Sequence, residues 1–317
     1  LKMDMDATKL AEQIVSGNHR ALAKGISLVE NRSSDHRKLL SLLYPHVGRA
    51  QTIGITGSPG AGKSSLVNGL VKEWRKQGKT VAVVAVDPTS PFSGGALLGD
   101  RVRMRDHDED EGVFIRSMGT RGSLGGLSEA CQDVVRLMDA AGFDLVVVET
   151  VGVGQSELDI MKTTDTVALV LYPSGGDVIQ AFKAGIMEIA DLFVINKADL
   201  PGVDQLRGEL RDLIHITKGE EDWNPPITET VSTQKQGMEN VVEEVLAHHH
   251  YLISSGRKTE RRFSQRKQEV MRRLHERFTA EIEQVVEEYM NTEGESQDPY
   301  DAAEHIYERW KDEGEEN

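Results

Sequence analysis

The sequence predicts an α/β protein: a mainly parallel β-sheet flanked by helices on both faces, with a helical extension before it and a helical arm after it. Three observations carry that expectation. Between about residues 50 and 250, short β-rich runs alternate with helical patterns, which implies parallel strands joined by helical crossovers. A glycine-rich GxxxxGK[ST] loop lies between the first of these runs and the first helix that follows it. Beyond Gly256, apolar residues recur in steps of three and four, the mark of one long amphipathic helix.

The elements follow in chain order. Residues 6–48 read as short helices: Leu10, Ala11, Ile14 and Val15 share a face, and Leu39, Leu40, Leu42 and Leu43 precede Pro45. The β runs are Thr52–Thr56, Thr80–Val86, Val113–Met118, Leu145–Glu149, Thr166–Tyr172 and Leu192–Asn196. The helical patterns between them are Lys63–Lys76, Leu127–Ala141, Val178–Ile189 and Val203–Ile214. Val270, Leu274, Phe278, Ile282, Val285, Val286 and Tyr289 then define a helix spanning about Arg261–Met290. The expected organisation is 1–48 as an N-terminal helical extension, 49–256 as a nucleotide-binding domain and 257–317 as a C-terminal helical arm with an acidic tail.

Composition narrows the function classes. With 317 residues, 38% hydrophobic and 28% charged, the chain can bury a real core. Acidic residues outnumber basic ones by 52 to 37, a formal net charge of −15, which disfavours nucleic acid and anionic membranes as general partners. Arg257 to Arg277 is locally basic, whereas Glu281 to Asn317 is strongly acidic, as expected of a solvated helix face and a fraying end. One cysteine, Cys131, excludes a disulfide framework and an all-cysteine metal site, and fits a reducing cytoplasm. No apolar run approaches the roughly 18 residues of a membrane span. The charged start, Leu1-Lys2-Met3-Asp4, does not read as a presequence, so a cytoplasmic location is expected.

The strongest motif is Gly57-Ser58-Pro59-Gly60-Ala61-Gly62-Lys63-Ser64, followed by Ser65. Its glycines let consecutive backbone N–H groups turn inward around phosphate oxygens, and the helix that follows adds positive potential. Lys63 can reach the β- and γ-phosphates, and the Ser64 hydroxyl can ligate Mg2+. The base is named by Asn196-Lys197-Ala198-Asp199 at the end of a late β run. A carboxylate at Asp199 can accept hydrogen bonds from N1–H and the exocyclic amine of guanine, which adenine cannot supply. Ser232, Thr233 and Gln234 stand where a loop supporting the base would lie. Three acidic groups fall between the two motifs: Asp87 at the end of one run, Asp100 in a Gly/Ser/Pro-rich stretch, and Glu149 at the head of Glu149-Thr-Val-Gly152. Carboxylates at the carboxyl ends of parallel strands project into the crevice beside such a loop and can hold Mg2+ or its waters. The residues thus read as a GTP/GDP site with Mg2+.

These residues also resemble the methylmalonyl-CoA mutase-associated GTPase chaperones of the MeaB/ArgK type. The resemblance rests on GITGSPGAGKSS at 54–65, VDPTSPFSGGALLGDR at 86–101, SMGTRGSLGGLS at 117–128, VVVETVGVGQSE at 146–157 and INKAD at 195–199. It implies a P-loop GTPase that is homodimeric through its C-terminal arm and binds an adenosylcobalamin-dependent acyl-CoA mutase. There it would gate cofactor loading and protect the mutase. Family switch residues map onto Asp87, Asp100 and Glu149, and a third switch maps onto residues 174–183, with Asp177, Gln180 and Lys183; Lys183 joins the catalytic set. No DxHxxG cobalamin loop occurs, so any cobalamin is expected on the partner.

Two other readings compete. A nickel-type metallochaperone GTPase would rest on His248-His249-His250 and Cys131, but three consecutive histidines cannot all face one way on a helix, and Cys131 falls in a helical pattern. A P-loop small-molecule kinase would need a base beside an acceptor hydroxyl. The long apolar stripe of the arm is too much for a lone surface helix, so it either folds back on its own chain or crosses to a twofold mate.

Overall fold

The computed structural model describes residues 6–87, 107, 109–119, 129–150, 156–173, 185–219, 222–292 and 298–315. The chain divides into two compact units, Leu1–Lys258 and Thr259–Asn317. At the centre of the first is a seven-stranded sheet whose strands are β1 (Gln51–Gly57), β2 (Val81–Asp87), β3 (Val113–Gly119), β4 (Leu145–Glu149), β5 (Thr166–Leu171), β6 (Leu192–Asn196) and β7 (Ile227–Thr230). Their order is β3-β2-β4-β1-β5-β6-β7. Every pairing in it is parallel. Six strands fall within a residue or two of the predicted runs, and β7 is an additional short strand ahead of Ser232.

Because a parallel sheet needs crossovers, its strands are buried on both faces and read as continuous apolar runs; every residue of β1, β4, β5 and β6 is buried. On one face lie the N-terminal helices α1 (Ala7–Val15), α2 (His19–Glu30) and α3 (His36–Leu43), together with α5 (Glu129–Ala140). Leu10, Ile14, Leu22, Ile26, Leu39, Val134 and Leu137 close over Ala82, Val84, Val146 and Val148 there. The N-terminal helices therefore share a core with the sheet. Further along this face α6 (Val203–Lys218) covers Leu169, Leu171, Phe193 and Ile195 with Leu206, Leu210 and Ile214. The opposite face carries α4 (Lys63–Lys76) and α7 (Met238–Ser254), whose Leu66, Leu70, Trp74, Met238, Val242 and Val245 pack on Ile53, Ile55, Val83, Val147, Ala168 and Val194.

Local chemistry sets several helix starts. The Asp6 carboxylate accepts from Thr8 N–H ahead of α1, and the Asn18 carbonyl accepts from Ala21 N–H ahead of α2, each satisfying an orphan donor. The predicted Lys63–Lys76 agrees with α4 at both ends. The predicted Leu127–Ala141 is described from Glu129 to Ala140. Of the predicted Val178–Ile189, only the turn Ile186–Ile189 falls among the described residues.

The second unit consists of most of α8 (Arg257–Thr292) and α9 (Pro299–Glu315). The acidic end is thus helical rather than simply frayed: Ala302 and Ile306, one turn apart, pack on Tyr289, Val285 and Val286, and Trp310 meets Phe278 edge-on at 5.9 Å. Beside them runs an apolar groove of about 430 Å³ lined by Ile282, Val286, Met290, Ala302, Ile306 and Trp310. The earlier part of the stripe stays in water, with Phe263 70%, Val270 50% and Met271 60% exposed. Among the described residues no helix is long and apolar enough to cross a membrane.

One buried carboxylate fixes how the N-terminal helices lead into the sheet. Asp139 on α5 accepts from the backbone N–H groups of Gly48 (2.5 Å), Arg49 (3.1 Å) and Ala50 (2.8 Å) immediately ahead of β1. Replacing it leaves three donors to resolvate, at least one of them buried. Asp139→Ala is expected to lower unfolding stability by about 2–4 kcal/mol, with Asp139→Asn intermediate, in denaturant titration at an unchanged m value.

Candidate functional site: a nucleotide crevice at the carboxyl edge of the sheet

The sheet order gathers what the sequence scatters. Reading across the carboxyl edge from β2 to β7, the strand ends present Asp87, Glu149, the Gly57–Ser65 loop, Asn196 and then Ser232. Such an edge, where a central strand feeds a glycine-rich loop, is the ligand crevice of open parallel sheets.

The loop owes its shape to two glycines. Gly57 has φ 138°, and a Cβ there would lie 2.0 Å from the Val170 carbonyl oxygen, so β1 can pass this close to β5 only without a side chain. Gly62 caps α4 at φ 86°, where a Cβ would meet Asn196 Nδ2 at 2.5 Å. The glycines therefore admit neighbouring backbone and side chain as well as phosphate. Lys63 is buried, and its ammonium donates to the carbonyls of Gly57 (2.7 Å) and Ser58 (3.0 Å), which holds a full positive charge inside the curve of the loop. The Ser64 hydroxyl donates to Glu149 Oε1 at 2.6 Å, both residues being buried. Two hard oxygen donors thus stand side by side where a metal-bound phosphate would lie, a donor set suited to Mg2+. Behind them the Thr150 and Thr56 hydroxyls share a 3.0 Å hydrogen bond that joins β4's end to β1.

On the other side, Asn196 joins three elements. Its Nδ2 donates to Ala61 O of the phosphate loop at 2.8 Å. Its Oδ1 accepts from Thr230 Oγ1 (3.0 Å), Ser232 Oγ (2.8 Å) and Ser232 N (3.2 Å). Ala198 N–H donates to Thr230 O, so the Asn196–Asp199 loop lies against the end of β7. Asp199 is exposed at the tip of that loop, and Thr233 and Gln234 are exposed in the short 3-10 turn Ser232–Gln234. The Gly57–Ser65, Asn196–Asp199 and Ser232–Gln234 segments are therefore brought together. Thr230 escapes sequence reading: a threonine ending a four-residue strand has no signal until Asn196 is placed beside it.

Other predicted residues stand differently. Asp87 ends β2 with its backbone paired to Gly119; its side chain, like Asp100, Gly152, Asp177, Gln180 and Lys183, lies outside the described residues. Two of the metal-chaperone candidates, His248 and Cys131, are buried in the core. His248 is buried, hydrogen-bonded through Nδ1 to Thr166 Oγ1 at 2.9 Å and facing Asp191 Oδ1 at 3.4 Å. It packs beside Trp223 and Tyr251. Cys131 is buried, and burial pushes its thiol up to about 12, which disfavours the thiolate.

The family described as methylmalonyl Co-A mutase-associated GTPase MeaB matches residues 22–287. A Pyrococcus horikoshii protein provisionally named a GTPase is 47% identical over 311 residues, 95% of this chain and 97% of that one. The GTPase ArgK of Escherichia coli is 38% identical over 249 residues, 76% of this chain and 75% of the other. A Caenorhabditis elegans protein named methylmalonic aciduria type A homolog, mitochondrial, is 36% identical over 265 residues, covering 75% of this chain and 64% of its own. Among solved structures, one described as an LAO/AO transport system kinase superposes with a TM-score of 0.74 at 26% identity, over 98% of this chain and 99% of that one.

The Asn196 carboxamide gives a direct test of how the two loops are joined. Asn196→Ala is expected to cost about 1–3 kcal/mol of stability, because buried partners lose their hydrogen bonds. Asn196→Asp keeps the shape but turns the Nδ2 donor into an acceptor facing Ala61 O. It should weaken nucleotide binding at least as much as alanine does, read by calorimetric titration with GDP.

Proposed function

This chain belongs to the methylmalonyl-CoA mutase-associated GTPase family, and on that premise we propose that it is a GTP-hydrolysing chaperone of an adenosylcobalamin-dependent acyl-CoA mutase. It would act in the cytoplasm, gating the loading of cofactor onto the mutase and protecting it. The observation that carries the nucleotide half of this reading is the Asn196 joint, which ties a guanine-type loop directly to a phosphate loop. The family description supplies the client.

In this reading Asp199 accepts from the guanine N1–H and amine, with Ser232, Thr233 and Gln234 backing the base and Lys197 lying beside it. The backbone of Gly57 to Ser65 wraps the phosphates, and Lys63 holds the charge that shifts during transfer. Ser64 and Glu149, with Asp87 and Asp100, would hold Mg2+, which when bound neutralises charge on the β- and γ-phosphates. Water adds at the γ-phosphorus, the bond to the β-bridging oxygen breaks, and GDP and phosphate leave. Lys183 is the proposed link between turnover and the client.

The arm serves assembly in the same proposal. Its apolar stripe is covered by α9 only toward its C-terminal half, and the exposed Phe263, Val270 and Met271 are what a twofold mate would bury.

Three measurements test the proposal. Wild-type protein should bind GDP and GTP far more tightly than ADP and ATP, and Asp199→Asn should shift preference toward xanthosine nucleotides; equal affinity for adenine and guanine nucleotides would refute the base assignment. Turnover should be slow alone, release free phosphate rather than a phosphorylated small molecule, and rise with saturating mutase, the rise being lost in Lys183→Ala. Truncation after Gly256 should leave a monomer that still binds GTP, and a truncated dimer in light scattering would exclude the arm.

A further inference from the structure

The Asn196–Asp199 loop is held by more than its motif. Asn196 ties it to the phosphate loop and Ala198 ties it to β7. Lys197, between them, adopts a left-handed backbone (φ 55°), one of three described non-glycine residues with positive φ. Side-chain-bearing residues rarely take this conformation unless their surroundings hold them in it. The Lys197 carbonyl accepts from Leu200 N–H at 3.0 Å, so this unusual residue closes the turn from which Asp199 projects.

Across the loop stands a partner that no motif announces. The ammonium of Lys197 lies 4.5 Å from the centroid of the Tyr172 ring, within cation–π range. Tyr172 directly follows β5, which pairs with β6 through Leu171 and Ile195, so the two residues leave adjacent strand ends at the same edge of the sheet. Both are half-buried, and Tyr172 packs against the core cluster that contains Ala61, Leu66 and the strands beneath the phosphate loop. The ring thus packs against the core and presents a face to the Lys197 cation.

We propose that Tyr172 is a positioning residue for guanine recognition. Its ring anchors the Lys197 side chain, which holds the left-handed turn and so sets where the Asp199 carboxylate stands. This rests on the guanine reading proposed above and adds to it a tether independent of Asn196. Since the contact lies on the base side, it should influence GDP and GTP alike and leave the rate of the bond-breaking step alone.

The test is a double-mutant cycle on the full-length protein, read by titration with GDP, GTP and ADP, with steady-state turnover and thermal unfolding alongside. Tyr172→Leu should weaken GDP and GTP equally, by about fivefold, raising KM without changing kcat. Tyr172→Phe, which keeps the ring face, should stay within about twofold of wild type. Lys197→Met should lose about as much as Tyr172→Leu, and the double variant no more than the worse single, since both remove one contact. If Tyr172→Leu does not fold, Tyr172→Met, which keeps apolar bulk but no ring face, against Tyr172→Phe carries the test, with the loss expected in methionine alone. Wild-type affinity in Tyr172→Leu, additive losses in the cycle, or a loss confined to GTP would overturn the proposal while leaving guanine recognition standing. A wild-type protein that binds ADP as tightly as GDP would overturn both.

Discussion

The carboxamide of Asn196 is the joint on which the site depends. Phosphate loop, base loop and supporting loop are far apart in sequence, and each alone is a short irregular segment with few contacts to hold it. A primary amide is suited to joining them, because one end donates and the other accepts. Here the donor end meets Ala61 O and the acceptor end meets Thr230 and Ser232. The geometry leaves no room for substitution nearby: a side chain at Gly62 would collide with the same amide nitrogen. The conspicuous glycine of the motif therefore serves a packing constraint as well as the needs of a phosphate.

Beneath the joint lies a second constraint, the close approach of β1 to β5 at Gly57. Because the Val170 carbonyl occupies the space of a Cβ, the loop leaves the sheet at one fixed point. The threonine pair Thr56–Thr150 pins the neighbouring strand ends at the same level. On the metal side Ser64 and Glu149 then meet by register: Ile55 pairs with Glu149, which sets the carboxylate near the end of β1. No flexible segment has to find its place for these groups to converge.

What could be read from the sequence was what local chemistry encodes. The run Lys63–Lys76 announces itself by a glycine before it and an unbroken apolar face within it, and the parallel strands do so by being apolar on both sides. Residues whose role depends on a distant neighbour left no such trace. Thr230 is unremarkable until β7 lies beside β6, Asp139 looks like any helix carboxylate until three backbone donors converge on it, and Tyr172 reads simply as the last apolar residue of a strand. The acidic tail misled in the opposite direction. Its charge suggests a solvated end, yet Ala302 and Ile306, spaced by one turn, are enough to seat α9 against Tyr289. The first of the three adjacent histidines shows the same limit, since only the fold reveals that His248 faces Thr166 and Asp191.

The strand order has a metric consequence. Glu149 and Asn196 end β4 and β6, and β1 and β5 lie between those strands. At the ~4.8 Å spacing of hydrogen-bonded strands, three steps set β4 and β6 about 14 Å apart across the sheet. That is on the order of the reach of an extended nucleoside triphosphate from base to terminal phosphate. The sheet itself is therefore a ruler, graduated in strands rather than in side chains. Backbone hydrogen bonds fix its divisions, so the gauge is indifferent to most substitutions in the walls of the crevice. It would fail only if a strand were inserted or lost between β4 and β6.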